Sequence, residues 1–131
     1  MEQVFYKLEN FFTNNTIVFT YYDLYFTEKE LLLVYLNETH RSFLVRNPKA
    51  GEKEREKLEE LSYSELMENS DDNIIINKDD ICNIEIARPS FIRNTAIKIE
   101  LEDKVINLFT KDKNKDLDKL TQTLKNNSYP I

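Results

Sequence analysis

The chain has 131 residues, with 18 lysines and arginines against 24 aspartates and glutamates and a formal charge of −6. An apolar fraction of 40% beside 32% charged residues is too apolar for a disordered tail and too charged for a membrane protein, and the length fits one domain, 1–131. The acidic balance disfavours nucleic acid, because neutralising phosphates takes a concentrated basic face, and a lone cysteine, Cys82, excludes an internal disulfide and a cysteine-built metal cluster.

Residues 1–15 read as an N-terminal helical segment. Val4, Phe5, Leu8, Phe11 and Phe12 recur at helical spacing, and Glu2, Gln3, Lys7, Glu9 and Asn10 fill the other side. That polar side is mixed and slightly acidic, without the lysines and arginines of a helix lying on anionic lipid. No basic-then-apolar leader opens the chain. The longest apolar runs, such as residues 31–36, are far short of the roughly 20 residues a spanning helix needs. The expectation is a soluble, cytoplasmic protein with a membrane partner disfavoured.

Residues 16–26 are β-branched and aromatic, with Leu24 and Phe26 alternating with Asp23 and Tyr25. Thr27, Glu28, Lys29 and Glu30 form a polar turn, and residues 31–36 resume an apolar strand, so the pair predicts a hairpin. A further strand over 40–45 follows. Asn47-Pro48 breaks the pattern, and residues 51–61 carry Lys, Arg and Glu three and four apart, as on a solvated helix. Ser62 with Glu65 three residues on predicts a capping box opening a second short helix through Asn69, with Leu66 and Met67 inward. Residues 47–71 therefore read as a helical insertion between strands.

Strand pattern returns at 73–77 and 84–86, around a tight turn at Asp79-Asp80. Ile97, Ile99 and Leu101 alternate with Lys98, Glu100 and Glu102, which predicts a half-buried strand, and residues 105–109 return antiparallel. Leu117, Leu120 and Leu124 then give residues 112–127 an apolar helical stripe. With one glycine in the chain, turns must use Asn and Asp, which tolerate left-handed backbone. The Ile/Asn/Lys-rich, Trp-free usage suggests an A+T-rich genome.

The stretch from Tyr22 to Val34, with its Asp23-Leu24-Tyr25-Phe26-Thr27 run, polar turn and apolar strand, resembles the opening hairpin of prokaryotic pleckstrin-homology-like (PH-like, GRAM-like) domains. Residues 74–86 look like the next signature, an isoleucine-led strand with Asp80 and Ile81 ahead of an alternating run. Residues 57–66 are similar to a capped insertion in some uncharacterised members. The resemblance covers roughly residues 16–126, and departs from the family in its glycine-poor turns and long aromatic lead-in. It implies an α+β fold: a strongly bent antiparallel sheet or open barrel with one end closed by the C-terminal helix. A small antiparallel sheet has to cover its open end, and the Leu117, Leu120 and Leu124 stripe suits that task.

Chemistry-bearing constellations are sparse. His40 has no second histidine or cysteine near it in sequence, so it reads as a turn residue. Cys82, between Ile81 and Ile84, reads as a small half-buried hydrophobe. Asp71-Asp72 and Asp79-Asp80 lack the alternate acids and central glycine of a calcium loop. No enzymatic activity, metal or cofactor is expected. Arg41, Arg46, Lys49 and Lys53, with Arg88 and Arg93, form a basic constellation if their loops converge, suited to an anionic head group or an acidic peptide. Lipid-binding PH domains place basic residues in the first hairpin turn, and here that turn is net acidic, so lipid head-group binding ranks low.

The sequence thus points to a non-enzymatic interaction module for a protein or peptide, with Arg41, Arg46, Lys49, Arg88 and Arg93 as candidate binding residues. The alternative is a small acidic inhibitor or regulator, of viral type, occluding a basic surface. Phe5, Leu8 and Phe12 are candidate self-association residues, because an uncovered apolar helix face marks an interface, here with a second copy.

Overall fold

Alternating and fully apolar runs resolve into seven antiparallel strands in one sheet, in a computed structural model that describes residues 3–14, 18–40, 52–91, 94–112 and 115–131. The strands are β1 (Tyr6–Asn14), β2 (Val18–Phe26), β3 (Glu30–His40), β4 (Ile74–Asn77), β5 (Ile81–Ala87), β6 (Thr95–Leu101) and β7 (Val105–Thr110). Three helices accompany them: α1 (Glu52–Leu58) and α2 (Tyr63–Glu68) between β3 and β4, and α3 (Leu117–Asn126) after β7. The order β4-β3-β2-β1-β7-β6-β5 joins two meanders through β1 and β7, with Phe12 opposite Phe109. β4 and β5, linked by a one-turn 3₁₀ helix over Lys78–Asp80, are the two edges, so the sheet is not closed.

The inner face is one hydrophobic cluster to which every strand contributes. It includes Leu8 and Phe11 of β1, Leu24 of β2, Leu33 of β3, Ile76 of β4, Ile84 of β5, Ile99 of β6 and Leu108 of β7. Both edge strands face this cluster, so the sheet bends around it. Leu117, Leu120 and Leu124 of α3 complete it, as their spacing predicts, and all three are buried. Asp116 caps α3, its carboxylate accepting from the Lys119 N–H at 3.0 Å.

The outer face of β3 is buried as well. Leu31 and Leu33 point inward, whereas Leu32, Val34 and Leu36 join Tyr25 in a second cluster beneath Leu58 of α1 and Leu66 of α2. That explains the unbroken apolar run: a strand covered on both faces has no position to give to a polar residue. The capping box at Ser62 and Glu65 forms in full, with Glu65 N–H donating to Ser62 Oγ at 3.3 Å and Ser62 N–H to Glu65 Oε1 at 3.0 Å. Leu66 is buried and Met67 half-buried, as predicted. Asn73 ties the insertion to the sheet, accepting from the Tyr35 N–H at 2.8 Å and donating to the Leu66 carbonyl at 2.6 Å.

Three readings of the sequence need correction. Residues 6–14 are a strand, not part of a helix over 1–15. Between Leu8 and Phe11 the register slips: Leu8 faces Leu24 and Phe11 faces Tyr22, so β1 carries one extra residue. Asn10 in this bulge has φ 64°. An extra residue turns the two-residue alternation into a three-residue step, which mimics one turn of helix. Phe5, Leu8 and Phe12 are consequently not an uncovered face. Leu8 and Phe12 are buried, Phe5 packs on Phe26 and Tyr129, and Phe12 packs outward on Phe19, Tyr21 and Phe109. Cys82 is exposed rather than half-buried, because the register slip between Ile81 and Asn83 takes it off the inner face. His40, read as a turn residue, instead ends β3 opposite Val18, because β3 runs on through Asn37 and Glu38, and the rest of the expected strand over 40–45 lies outside the described residues.

Candidate functional site

Three features compete as the functional centre: the charged groups between α1 and the sheet, the expected basic constellation, and the outer face of β5, β6 and β7, which the described helices leave uncovered.

The first is a buried ion pair that sequence reading missed. Asp23 points to the outer face of β2 and is 1% exposed. Arg55 of α1 grips its carboxylate with two bonds, Nε to Oδ2 at 2.7 Å and Nη2 to Oδ1 at 2.9 Å. The bulge supplies a third donor, the Asn10 N–H, to Oδ1 at 2.9 Å. Glu9 lies 3.4 Å from the same guanidinium, and Lys7 bridges Glu9 at 3.2 Å and Glu59 at 3.6 Å. The Asp23 bonds raise the Arg55 pKa above its ordinary value, with burial opposing. A bidentate pair with a backbone donor satisfies the carboxylate fully, so the group is a fastening for α1 and not a free acid. The signal for it was an aspartate inside an aromatic run and an arginine inside an acidic helix.

Tyr25 is the other titratable group under the insertion. Burial raises its pKa, and the Lys7 ammonium, 5.2 Å from the ring centre, works in the opposite direction.

The expected basic constellation is only partly placed. Arg88 is exposed at the end of β5 and pairs with Asp118 of α3. Arg41, Arg46, Lys49 and Arg93 lie outside the described residues. Asp71, Asp72, Asp79 and Asp80 are exposed in turns, and no group of three or more metal-binding side chains forms among the described residues. No helix among them is long and apolar enough to cross a membrane.

The third feature is the outer face of β5, β6 and β7. Here the alternation of β6 sends Lys98 and Glu100 outward, where Lys98 lies 3.2 Å from Glu100 and 3.9 Å from Glu85. Glu85, Ile86, Ala87, Ala96, Lys98 and Asn107 line a shallow depression of about 440 Å³. Its floor is low because Ala87 and Ala96, paired across the ladder, leave room that larger neighbours would fill. Val105 is exposed on the rim strand.

Charge is distributed unevenly. Residues 54–72 carry eight of the 24 carboxylates and two of the 18 cations, which leaves sixteen of each in the rest of the chain. All eight carboxylates are exposed, and one of the two cations, Arg55, is turned inward to Asp23. The excess negative charge of the chain therefore lies on the helical insertion and the turn after it.

No family model matches the chain, and no curated protein matches it. Among solved structures it is similar to the C-terminal domain of an unknown protein from Leishmania infantum. The two superpose with a TM-score of 0.55 at 12% identity, over 96% of this chain and 84% of that one. At that identity the likeness shows a shared fold, a seven-stranded antiparallel sheet with helices.

Proposed function

We propose that the chain is a non-enzymatic PH-like interaction module that binds a protein or peptide on the outer face of β5, β6 and β7. One observation carries the reading. The helices α1 and α2 cover the outer face of β2 and β3, whereas the described residues leave this second outer face open, with a depression floored by Ala87 and Ala96 and a Glu–Lys–Glu row beside it. Small residues beneath charged ones suit a side chain of a partner, oriented by Lys98 and Glu85. The PH-like reading draws support from a single antiparallel sheet that does not close and from α3 packed on its inner cluster. Titration of a captured protein against the immobilised chain tests it. Ala96→Arg and Lys98→Glu should each weaken binding more than about tenfold, and Glu56→Lys with Glu60→Lys should leave it unchanged. Binding insensitive to both depression variants, or turnover on a substrate panel, would overturn the proposal.

A second reading follows from the charge distribution. A small acidic regulator that occludes a basic surface needs its acids on one face, and the insertion supplies one. Under this reading the Glu56→Lys and Glu60→Lys pair abolishes binding, affinity falls steeply with salt, and the depression variants are silent.

A further inference from the structure

An open sheet leaves two edges, and the edge of β5 is occupied by the chain itself. After α3 the backbone reverses at Asn127 and Ser128, with the Tyr129 N–H returning to the Leu124 carbonyl at 3.0 Å. Ser128 holds φ 64°, the left-handed region where glycine is the usual occupant. The reversal sends residues 129–131 across the seam between the two edge strands. There the Ile84 N–H of β5 donates to the Pro130 carbonyl at 2.6 Å. Tyr129, 4% exposed, packs on Phe5 and edge-on to Phe26, and its hydroxyl donates to the Thr27 carbonyl at 2.7 Å on the β2–β3 turn. Lys78, just past β4, donates to the Asn127 carbonyl at 3.2 Å and lies 5.6 Å from the centre of the Tyr129 ring. The tail thus touches the first residue after one edge strand, the backbone of the other, and the turn between β2 and β3.

We propose that residues 127–131 are a strap that seals the β5 edge, and that releasing the strap turns this edge into a pairing edge for a second copy of the chain. Pro130 offers β5 a carbonyl but has no N–H to return, so the strap is held to the edge by a single backbone bond and can be released without breaking a ladder. With the strap gone, the Ile84 N–H is unpaired at an exposed edge, which templates strand addition. A second β5, antiparallel about Ile84, would set Glu85 beside Asn83 on the outer face, with no like charges opposed. The occupant is therefore another copy of this chain. Ser128 is the element under tension, because a non-glycine residue in the left-handed region opposes the closed strap.

Native-state hydrogen exchange and sedimentation velocity on the full chain test the proposal. In Tyr129→Ala the Ile84 amide should exchange at least about tenfold faster, while the Ile99 amide of β6 keeps its protection. The same variant should sediment as a monomer–dimer mixture that shifts with concentration, against a monomeric parent. Ser128→Gly should slow exchange at Ile84 about fivefold, the ratio that relief of about 1 kcal/mol of left-handed strain implies. Equal acceleration at Ile84 and Ile99, or a Tyr129→Ala chain that stays monomeric with its Ile84 amide open, overturns the proposal. Should Tyr129→Ala not fold, Tyr129→Phe takes its place, removing the Thr27 bond and keeping the ring. Faster Ile84 exchange alone with concentration-dependent sedimentation supports the strap, and parallel shifts at Ile84 and Ile99, or a monomer, refute it.

Discussion

The outer face of β2 and β3 and the outer face of β5, β6 and β7 belong to one sheet but are built for different surroundings. On the first, Tyr25, Leu32, Val34 and Leu36 lie under α1 and α2, and the buried charge of Asp23 is met by Arg55. On the second, Lys98 is half-buried and Asn107 exposed beside Ala87 and Ala96, and the described helices leave them uncovered. The difference is visible in the periodicities. A strand that buries both faces runs apolar without a break, and one that buries a single face alternates.

The largest expected effect separates the covered face from every other surface. Arg55→Met removes the charge partner and leaves the Asp23 carboxylate beneath α1 with a single backbone donor. A loss of roughly 3–5 kcal/mol in urea melts is expected, because a buried charge without its partner is the costly state. Replacing both partners, Asp23→Leu with Arg55→Met, should recover most of it. A loss under about 1 kcal/mol for the single change would mean that water reaches Asp23 and that α1 is not docked there.

Leucines come next. Leu32→Ala on the covered outer face and Leu120→Ala on the inner side of α3 should each cost roughly 2–5 kcal/mol, since both side chains are fully buried. Equality of the two is the informative result, as Leu32 is on the side of the sheet that is normally solvated. If Leu32→Ala costs under about 0.5 kcal/mol while Leu120→Ala does not, the insertion lies off the sheet.

The capping box gives a smaller effect. Ser62→Ala should cost about 1 kcal/mol by denaturant midpoint, the usual worth of such a cap. The Ser62 backbone N–H bond, followed by the Ser62 side chain, holds the Glu65 carboxyl below its ordinary pKa. A depressed folded value means that this contribution is present above the ordinary glutamate pKa and fades as pH falls through the folded one. Carboxyl titration by NMR should place Glu65 below the ordinary glutamate value, and Ser62→Ala, which removes the hydroxyl and keeps the backbone N–H, should undo only part of that depression. An ordinary value for Glu65 in the parent chain would show that the box is open in solution.

The smallest effect belongs to the open face. Lys98→Ala, which breaks two partly exposed ion pairs, should change stability by less than about 0.5 kcal/mol. A larger loss would mean that this face is packed against something, and would break the comparison from its other side.

Local pattern carried far along this chain. The β2–β3 hairpin, the insertion with its capping box at Ser62 and Glu65, the alternation of β6 and the leucine stripe of α3 each follow from neighbouring residues, because period and caps are properties of the chain within one or two turns. Three things depended on distant partners. The bulge at Asn10 is defined by register against β2, so β1 looked helical until Leu24 and Tyr22 were placed opposite it. Asp23 and Arg55, 32 residues apart, are an ordinary strand acid and helix base until α1 is laid on the sheet. What covers the outer face of β3 was decided likewise by where the insertion docks, since its unbroken apolar run says that both faces are buried and not against which residues. The sequence by itself determined the β2–β3 hairpin, the capped insertion, the alternation of β6 and the stripe of α3. The tertiary structure alone decided what lies across from them, because contacts between residues far apart in the chain leave no period to read.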